Sequence, residues 1–297
     1  MPRAPHETEE AMTWTTIASV QPPAFDEKSA EHNEQSIERG FRHLEAALGM
    51  GARLCCMPEF FNVFGVPTEM MREAAANHAD VLARTRDVAN AHGSLVLLSM
   101  LVEDRHRFFD RAYLIDESGA IAGTYDKVHP TVGEREHLGV VAGDLPTVVA
   151  TSLGRIGLAI CYDVYFPAFF GALTRQRPDV ILLPSLQRSE HELASEALVK
   201  VRAMDSTAYL VRSSYGRELE QPWMPGKMFG QSCVVHPDGT ILANAGHYEG
   251  AAVARVALPY TWRRQRCGGY PTMSVRSFLD EDARPEVYRA NGEEHAE

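Results

Sequence analysis

The stretch that most constrains this chain is residues 154–167, which reads GRIGLAICYDVYFP. Gly154 and Gly157 open it, and Ile156, Leu158, Ala159 and Ile160 read as a buried strand. The run stops at Cys161, and Tyr162, Asp163 and Pro167 close it. Pro167 followed by Ala168, Phe169, Phe170 and Ala172 suits a helix start. A thiol is therefore expected at a strand-to-helix turn. Backbone N–H groups converge there and the helix dipole favours a thiolate, which suits a nucleophile better than a core residue.

Two upstream segments end in the same manner. Residues 54–61, LCCMPEFF, form an apolar strand that runs into Glu59. Residues 111–115, a turn at 116–119 and a second short strand lead into GTYDKVHP, residues 123–130, which carries Lys127. Glu59, Lys127 and Cys161 each lie just past an apolar strand. Strand ends on one side of an α/β sheet are where catalytic groups gather. A base, a cation and a thiol are what thiol-based acyl transfer requires.

The set resembles the nitrilase superfamily of carbon–nitrogen hydrolases. The resemblance rests on Pro58-Glu59-Phe60, on residues 125–129 (YDKVH) and on residues 157–167 (GLAICYDVYFP). Softer echoes lie at Leu183-Pro184-Ser185, Arg202-Ala203-Met204-Asp205, Gly230-Gln231-Ser232 and Pro237-Asp238-Gly239, and at residues 284–288 (RPEVY). It covers roughly residues 13 to 290, most of one ordinary domain's length. The resemblance implies an α/β fold, an αββα sandwich of two packed mixed sheets flanked by helices. Alternating strands and helices with interspersed hairpins agree with two sheets rather than one doubly wound sheet.

The resemblance also implies roles. Cys161 is the nucleophile, and Glu59 is the base that activates it and later protonates the leaving nitrogen. Lys127 stabilises the oxyanion, with the Tyr162 N–H as second donor. The family's second glutamate has two candidates here, Glu134 and Glu136. The distance from Glu136 to the Gly143-Asp144 pair favours Glu136. Tyr162, Phe61, Tyr165 and Gln187 are expected to line the substrate pocket, with Tyr215, Trp223 and Arg188 near it. His129 and Asp163 read as structural, because Glu, Lys and Cys already cover the proton transfers.

Tyr162-Asp163 follows the cysteine, as in many amidases; true nitrilases of the family usually carry Trp-Glu there. The expected reaction is hydrolysis of a non-peptide carbon–nitrogen bond, of a small primary amide, through a thioester with release of ammonia. N-carbamoyl hydrolysis is the alternative, weakened because Val164 and Tyr165 stand where carbamoylases often place arginines. A nitrilase, an amide transferase, or an inactive binding protein of the same fold also remain open. The chain departs from the family at Ala168, commonly Glu, and at Ser213 or Ser214, where Asn is frequent.

Composition narrows the partners. Over 297 residues the apolar fraction is 45% and the charged fraction 23%, as in a soluble globular enzyme. A formal net charge of −11 argues against nucleic acid or an anionic membrane as partner. The five cysteines show no disulfide framework, and Cys55, Cys56, Cys233 and Cys267 read as small buried hydrophobes. The twelve histidines have no metal-ligand spacing and no phosphate-cradling glycine loop is present, so neither metal nor cofactor is expected.

No signal peptide or membrane span is legible, and a cytoplasmic protein is expected. The expected organisation is a disordered segment at residues 1–11 and a hydrolase domain over 12–258. Residues 259–297 form a polar tail without clear periodicity. By the resemblance this tail packs on a neighbouring subunit, giving a homodimer or larger homo-oligomer.

Overall fold

The computed structural model describes residues 12–186, 192–222 and 230–289. Residues up to 259 form one compact unit and those from 260 onward another. The segment 1–11 and three expected pocket residues, Gln187, Arg188 and Trp223, lie outside the described residues.

The first unit holds two six-stranded sheets. One runs, edge to edge, Gly250–Leu258, Thr13–Gln21, Ala52–Cys56, Leu95–Asp104, Arg107–Ile115 and Ile121–Asp126. The other runs Thr147–Thr151, Gly154–Leu158, Val180–Pro184, Tyr209–Ser213, Cys233–Val235 and Ile241–Asn244. Written this way, both follow the same pairing order: antiparallel, parallel, parallel, antiparallel, antiparallel. The central strands are apolar on both faces, as parallel strands covered on two sides must be. All five residues of Val180–Pro184 are buried, as are the first eight of Leu95–Asp104.

The sheets meet through Thr13–Gln21, Ala52–Cys56, Val180–Pro184 and Tyr209–Ser213. Ser19 Oγ donates to the Arg212 carbonyl and Ser213 Oγ to that of Val20, stitching the layers together. Ser213 therefore faces the opposite sheet rather than a pocket, so if the departure expected at Ser213 or Ser214 falls on Ser213, it bears on sheet packing.

Helices close the outer faces. Ala30–Gly49 starts at Ser29, whose hydroxyl accepts from the His32 N–H at 3.0 Å. Its Phe41, Leu44, Ala47 and Leu48, at helical spacing, sink into the first sheet against Ala18, Val20, Cys55, Val96 and Leu98. Each large side chain buried there is worth about 1.5–3 kcal/mol. His78–His92 adds Val81 and Ala89 to the same layer. On the other side, Pro167–Arg175 packs on Glu192–Ser206, which covers Tyr209–Ser213. The αββα arrangement expected from the sequence is the one observed.

The second unit is more ordered than its polar composition suggests. Arg263–Gln265 pairs antiparallel with Thr272–Ser274, and the helices Val275–Asp282 and Pro285–Arg289 follow. Val275 and Phe278 are buried, and Ser274 caps the first helix. These three-residue strands are too short to show a period. Cys267 corrects one expectation: it is exposed, whereas Cys55, Cys56 and Cys233 are buried in the strands of the first unit.

Candidate active site

Glu59, Lys127 and Cys161 converge at the strand ends. Beyond Cys56 the chain keeps pairing for one more residue, Met57 N–H to the Leu97 carbonyl at 2.9 Å, and then turns at Pro58-Glu59. Phe60 takes a left-handed φ of 54° to complete the turn. Lys127 follows Ile121–Asp126 with its N–H on the Asp110 carbonyl at 3.0 Å. Its own carbonyl accepts from Gly143 N–H at 2.9 Å; a Cβ on Gly143 would lie 2.1 Å from the Asp126 oxygen, so only glycine fits.

Cys161 begins a tight turn, Cys161–Tyr165, directly before the helix at Pro167. Its φ of 42° is again left-handed. A non-glycine residue there costs about 1–3 kcal/mol, and such strain concentrates at functional sites. Asp163, fully buried, holds the turn. It accepts from Ile160 N–H at 2.8 Å, Tyr125 O–H at 2.7 Å and His129 N–H at 3.1 Å, and pairs with His129 Nδ1 at 2.8 Å. The His129 ring stacks on Phe166 with centroids 3.7 Å apart. Both residues act on the frame of the turn.

The charged groups form one cluster. Lys127 Nζ lies 2.5 Å from Glu59 Oε1, 2.8 and 2.9 Å from the two Glu134 oxygens, and 3.4 Å from Asp110 Oδ2. Lys127, Glu59 and Asp110 are fully buried. The carboxyl groups of Glu59, Asp110 and Glu134 lie within 4.8 Å of one another, a separation that would also suit a cation. The Lys127 ammonium is the cation they surround.

The glutamate beside Lys127 is Glu134, not Glu136. Residues Glu134–Leu138 form a single π-helical turn. Thr131 N–H donates to Glu134 Oε2 at 2.9 Å, fixing that side chain inward, while Glu136 is exposed. Phe61 is also corrected. It is 1% exposed and packs edge-on to Phe41 at 5.5 Å, inside the core under the first helix. Phe60 instead lies toward the site, with Lys127 Nζ 6.0 Å from its ring centroid. Tyr215 is buried too: its hydroxyl donates to the Glu59 carbonyl at 3.0 Å, and its ring stacks on Phe64 at 3.8 Å. Tyr162 and Tyr165 are 37% and 49% exposed, on the turn that carries the thiol.

Burial and charge set the proton positions. Burial drives the Cys161 thiol well above its ordinary value and Glu59 adds to the rise, outweighing Lys127. Burial and Glu59 therefore oppose the thiolate that a helix start favours. Burial also raises Glu59, partly offset by Lys127. Burial opposes the charge on Lys127, yet Glu59 and Asp110 lift it well above the ordinary lysine range. A thiol, a carboxylate of raised basicity and a permanent ammonium thus share one dry site.

This fold and this residue set define a hydrolase class, and sequence comparison assigns it. The chain belongs to the carbon–nitrogen hydrolase family, whose model matches residues 16–264. Deaminated glutathione amidase of Bos taurus is 28% identical over 249 residues, spanning 78% of this chain and 75% of its own. The fold is shared with the amidase of Nesterenkonia sp. AN1. A mutant of that amidase with the acetamide moiety of fluoroacetamide covalently added at its active-site cysteine has a TM-score of 0.72. It is 24% identical and covers 93% of this chain and 96% of its own. A cysteine-to-alanine mutant in complex with butyramide has a TM-score of 0.71 at 24% identity, with the same coverages. The chain is an enzyme acting on carbon–nitrogen bonds.

Proposed function

We propose that this enzyme hydrolyses a small primary amide to the carboxylic acid and ammonia, through a thioester on Cys161. The observation that carries the reading is the shared buried environment of the Cys161 thiol, the Glu59 carboxylate and the Lys127 ammonium. The thiol proton passes to Glu59 as sulfur adds to the amide carbon, and the carbonyl electron pair moves onto oxygen. Lys127 and the Tyr162 N–H stabilise that oxyanion. As the oxyanion collapses, the carbon–nitrogen bond breaks and Glu59 returns the proton to the departing nitrogen. Water then adds to the thioester with Glu59 as base, the carbon–sulfur bond breaks, and the thiol is restored.

Glu59 suits both proton transfers because burial raises its proton affinity above that of an ordinary carboxylate. Glu134 orients the ammonium. Tyr162 and Tyr165 offer an aromatic wall beside the thiol. The butyramide complex and the fluoroacetamide adduct of the Nesterenkonia amidase support a short acyl group. The test is ammonia release from primary amides, N-carbamoyl compounds and nitriles, with Cys161→Ala alongside. Release from amides by the parent alone supports the reading; equal release by the variant contradicts it.

The same reading carries a homo-oligomer in which residues 259–297 pack on a neighbouring copy. Light scattering should count fewer copies per particle after truncation at residue 258 than in the full chain; an unchanged copy number would contradict this role of the tail. It also carries a cytoplasmic location, checked by cell fractionation; among the described residues no helix is long and apolar enough to cross a membrane.

A further inference from the structure

We propose that Asp110 is a positioning residue that carries a proton in the resting enzyme and donates it to the free oxygen of Glu59. This rests on Glu59 acting as the base, and it explains how that base is kept anionic and aimed. Asp110 lies mid-strand in Arg107–Ile115, and its carbonyl receives the Lys127 N–H. Its side chain turns into the cluster, fully buried, with Oδ1 accepting from Ser99 Oγ at 3.0 Å.

Among the described residues, Glu59 Oε2 has no hydrogen-bond partner, and Asp110 Oδ2 has none beyond its 3.4 Å ion pair with Lys127. Three carboxyl groups crowd one ammonium here, so two of them ionised already exceed its charge and a third ionised group would be repelled by both. A single proton between Glu59 and Asp110 satisfies both oxygens at once.

The proton belongs on Asp110. Glu59 has the closer ammonium, at 2.5 Å against 3.4 Å for Asp110. The remaining oxygen of Asp110 meets only the neutral Ser99 hydroxyl. The charged and titratable groups facing the pair are Lys127, Glu134 and Cys161, with Tyr215 behind Glu59. Of these, only Lys127 favours ionisation. Burial raises Asp110 well above the ordinary aspartate range, and the bond between the two carboxyl groups raises Asp110 while lowering Glu59. With Oε1 on Lys127 and Oε2 on Asp110, the Glu59 carboxylate is clamped at both oxygens.

The test compares Asp110→Asn with Asp110→Ala. Asparagine keeps a donor toward Glu59 and cannot ionise; alanine removes the donor. The asparagine variant is expected to lose less than about tenfold in kcat/KM and to keep the acid limb of its pH profile in place. The alanine variant should lose about a hundredfold or more, with that limb moved to higher pH, because an unsupported Glu59 protonates sooner.

Infrared spectra of protein carrying 13C-labelled aspartate give a readout independent of turnover. A protonated-carboxyl band at neutral pH should shift with the label and vanish in Asp110→Asn. Absence of that band, or an asparagine variant as inactive as the alanine one, overturns the proposal. If the alanine variant does not fold, the band and the asparagine profile decide. Turnover surviving in Cys161→Ala would instead overturn the thioester reading, while the labelled band would still report where the proton sits.

Discussion

Glu134 grips the Lys127 ammonium with both carboxylate oxygens, at 2.8 and 2.9 Å, while Glu136, two residues on, is exposed. Glu134→Gln replaces one charged acceptor by an amide and frees Lys127 to tilt. Activity should fall about a hundredfold, the scale of losing one oxyanion-stabilising contact. Glu136→Gln should leave kcat/KM within about twofold. Steady-state kinetics on the two variants checks the assignment, and equal losses would reverse it.

Asp163 gathers Ile160 N–H, His129 N–H, His129 Nδ1 and the Tyr125 hydroxyl around one buried carboxylate. Asp163→Ala strands those groups at about 1–3 kcal/mol for each left unsatisfied. Unfolding free energy and activity should therefore fall together. Tyr125→Phe removes a single bond and should cost about 1 kcal/mol. Denaturant titration separates the two; an Asp163→Ala protein as stable as the parent would refute the bracing role.

Tyr215, just past the strand Tyr209–Ser213, reaches the Glu59 carbonyl. Tyr215→Phe preserves the stack on Phe64 but leaves that carbonyl unpaired, at a cost of about 1–3 kcal/mol. Lost turnover should exceed lost substrate affinity, since the base moves and the pocket wall does not. A variant changed only in KM would contradict this.

The carboxyl pair also makes stability depend on pH. Glu59 and Asp110 are raised in the folded chain above their unfolded values, Asp110 the more strongly, both chiefly by burial. The stability each contributes is fully present below the unfolded value. It is lost as pH rises toward the folded one. Asp110→Asn removes its share, so its stability relative to the parent should climb from acid to neutral pH. Denaturation at a series of pH values tests this, and parallel curves would contradict it.

The strands that end in Glu59, Lys127 and Cys161 were legible because uninterrupted apolar runs leave few other structures. What failed was choice between near neighbours. Glu134 and Glu136 sit two apart, and the spacing to Gly143 does not reveal that a π turn points the first inward. Phe61 alone was expected at the pocket, but the left-handed turn at Phe60 sends Phe61 into the core. Asp110 shares the buried strand face of Phe108, Ala112 and Leu114, a polar residue in an apolar row that the sequence reading passed over. Only the pairing of adjacent strands sets it beside Lys127. At Cys161 two effects oppose each other: a turn at a helix start and Lys127 favour the anion, while burial and Glu59 disfavour it.

Every catalytic step above passes through a thioester on Cys161, and mass spectrometry of the enzyme quenched during turnover of a short primary amide detects it directly. An acyl adduct is expected on the peptide carrying Cys161, absent in Cys161→Ala and discharged by hydroxylamine as the hydroxamate. Undiminished ammonia release by Cys161→Ala, with no adduct on the parent enzyme, would contradict it.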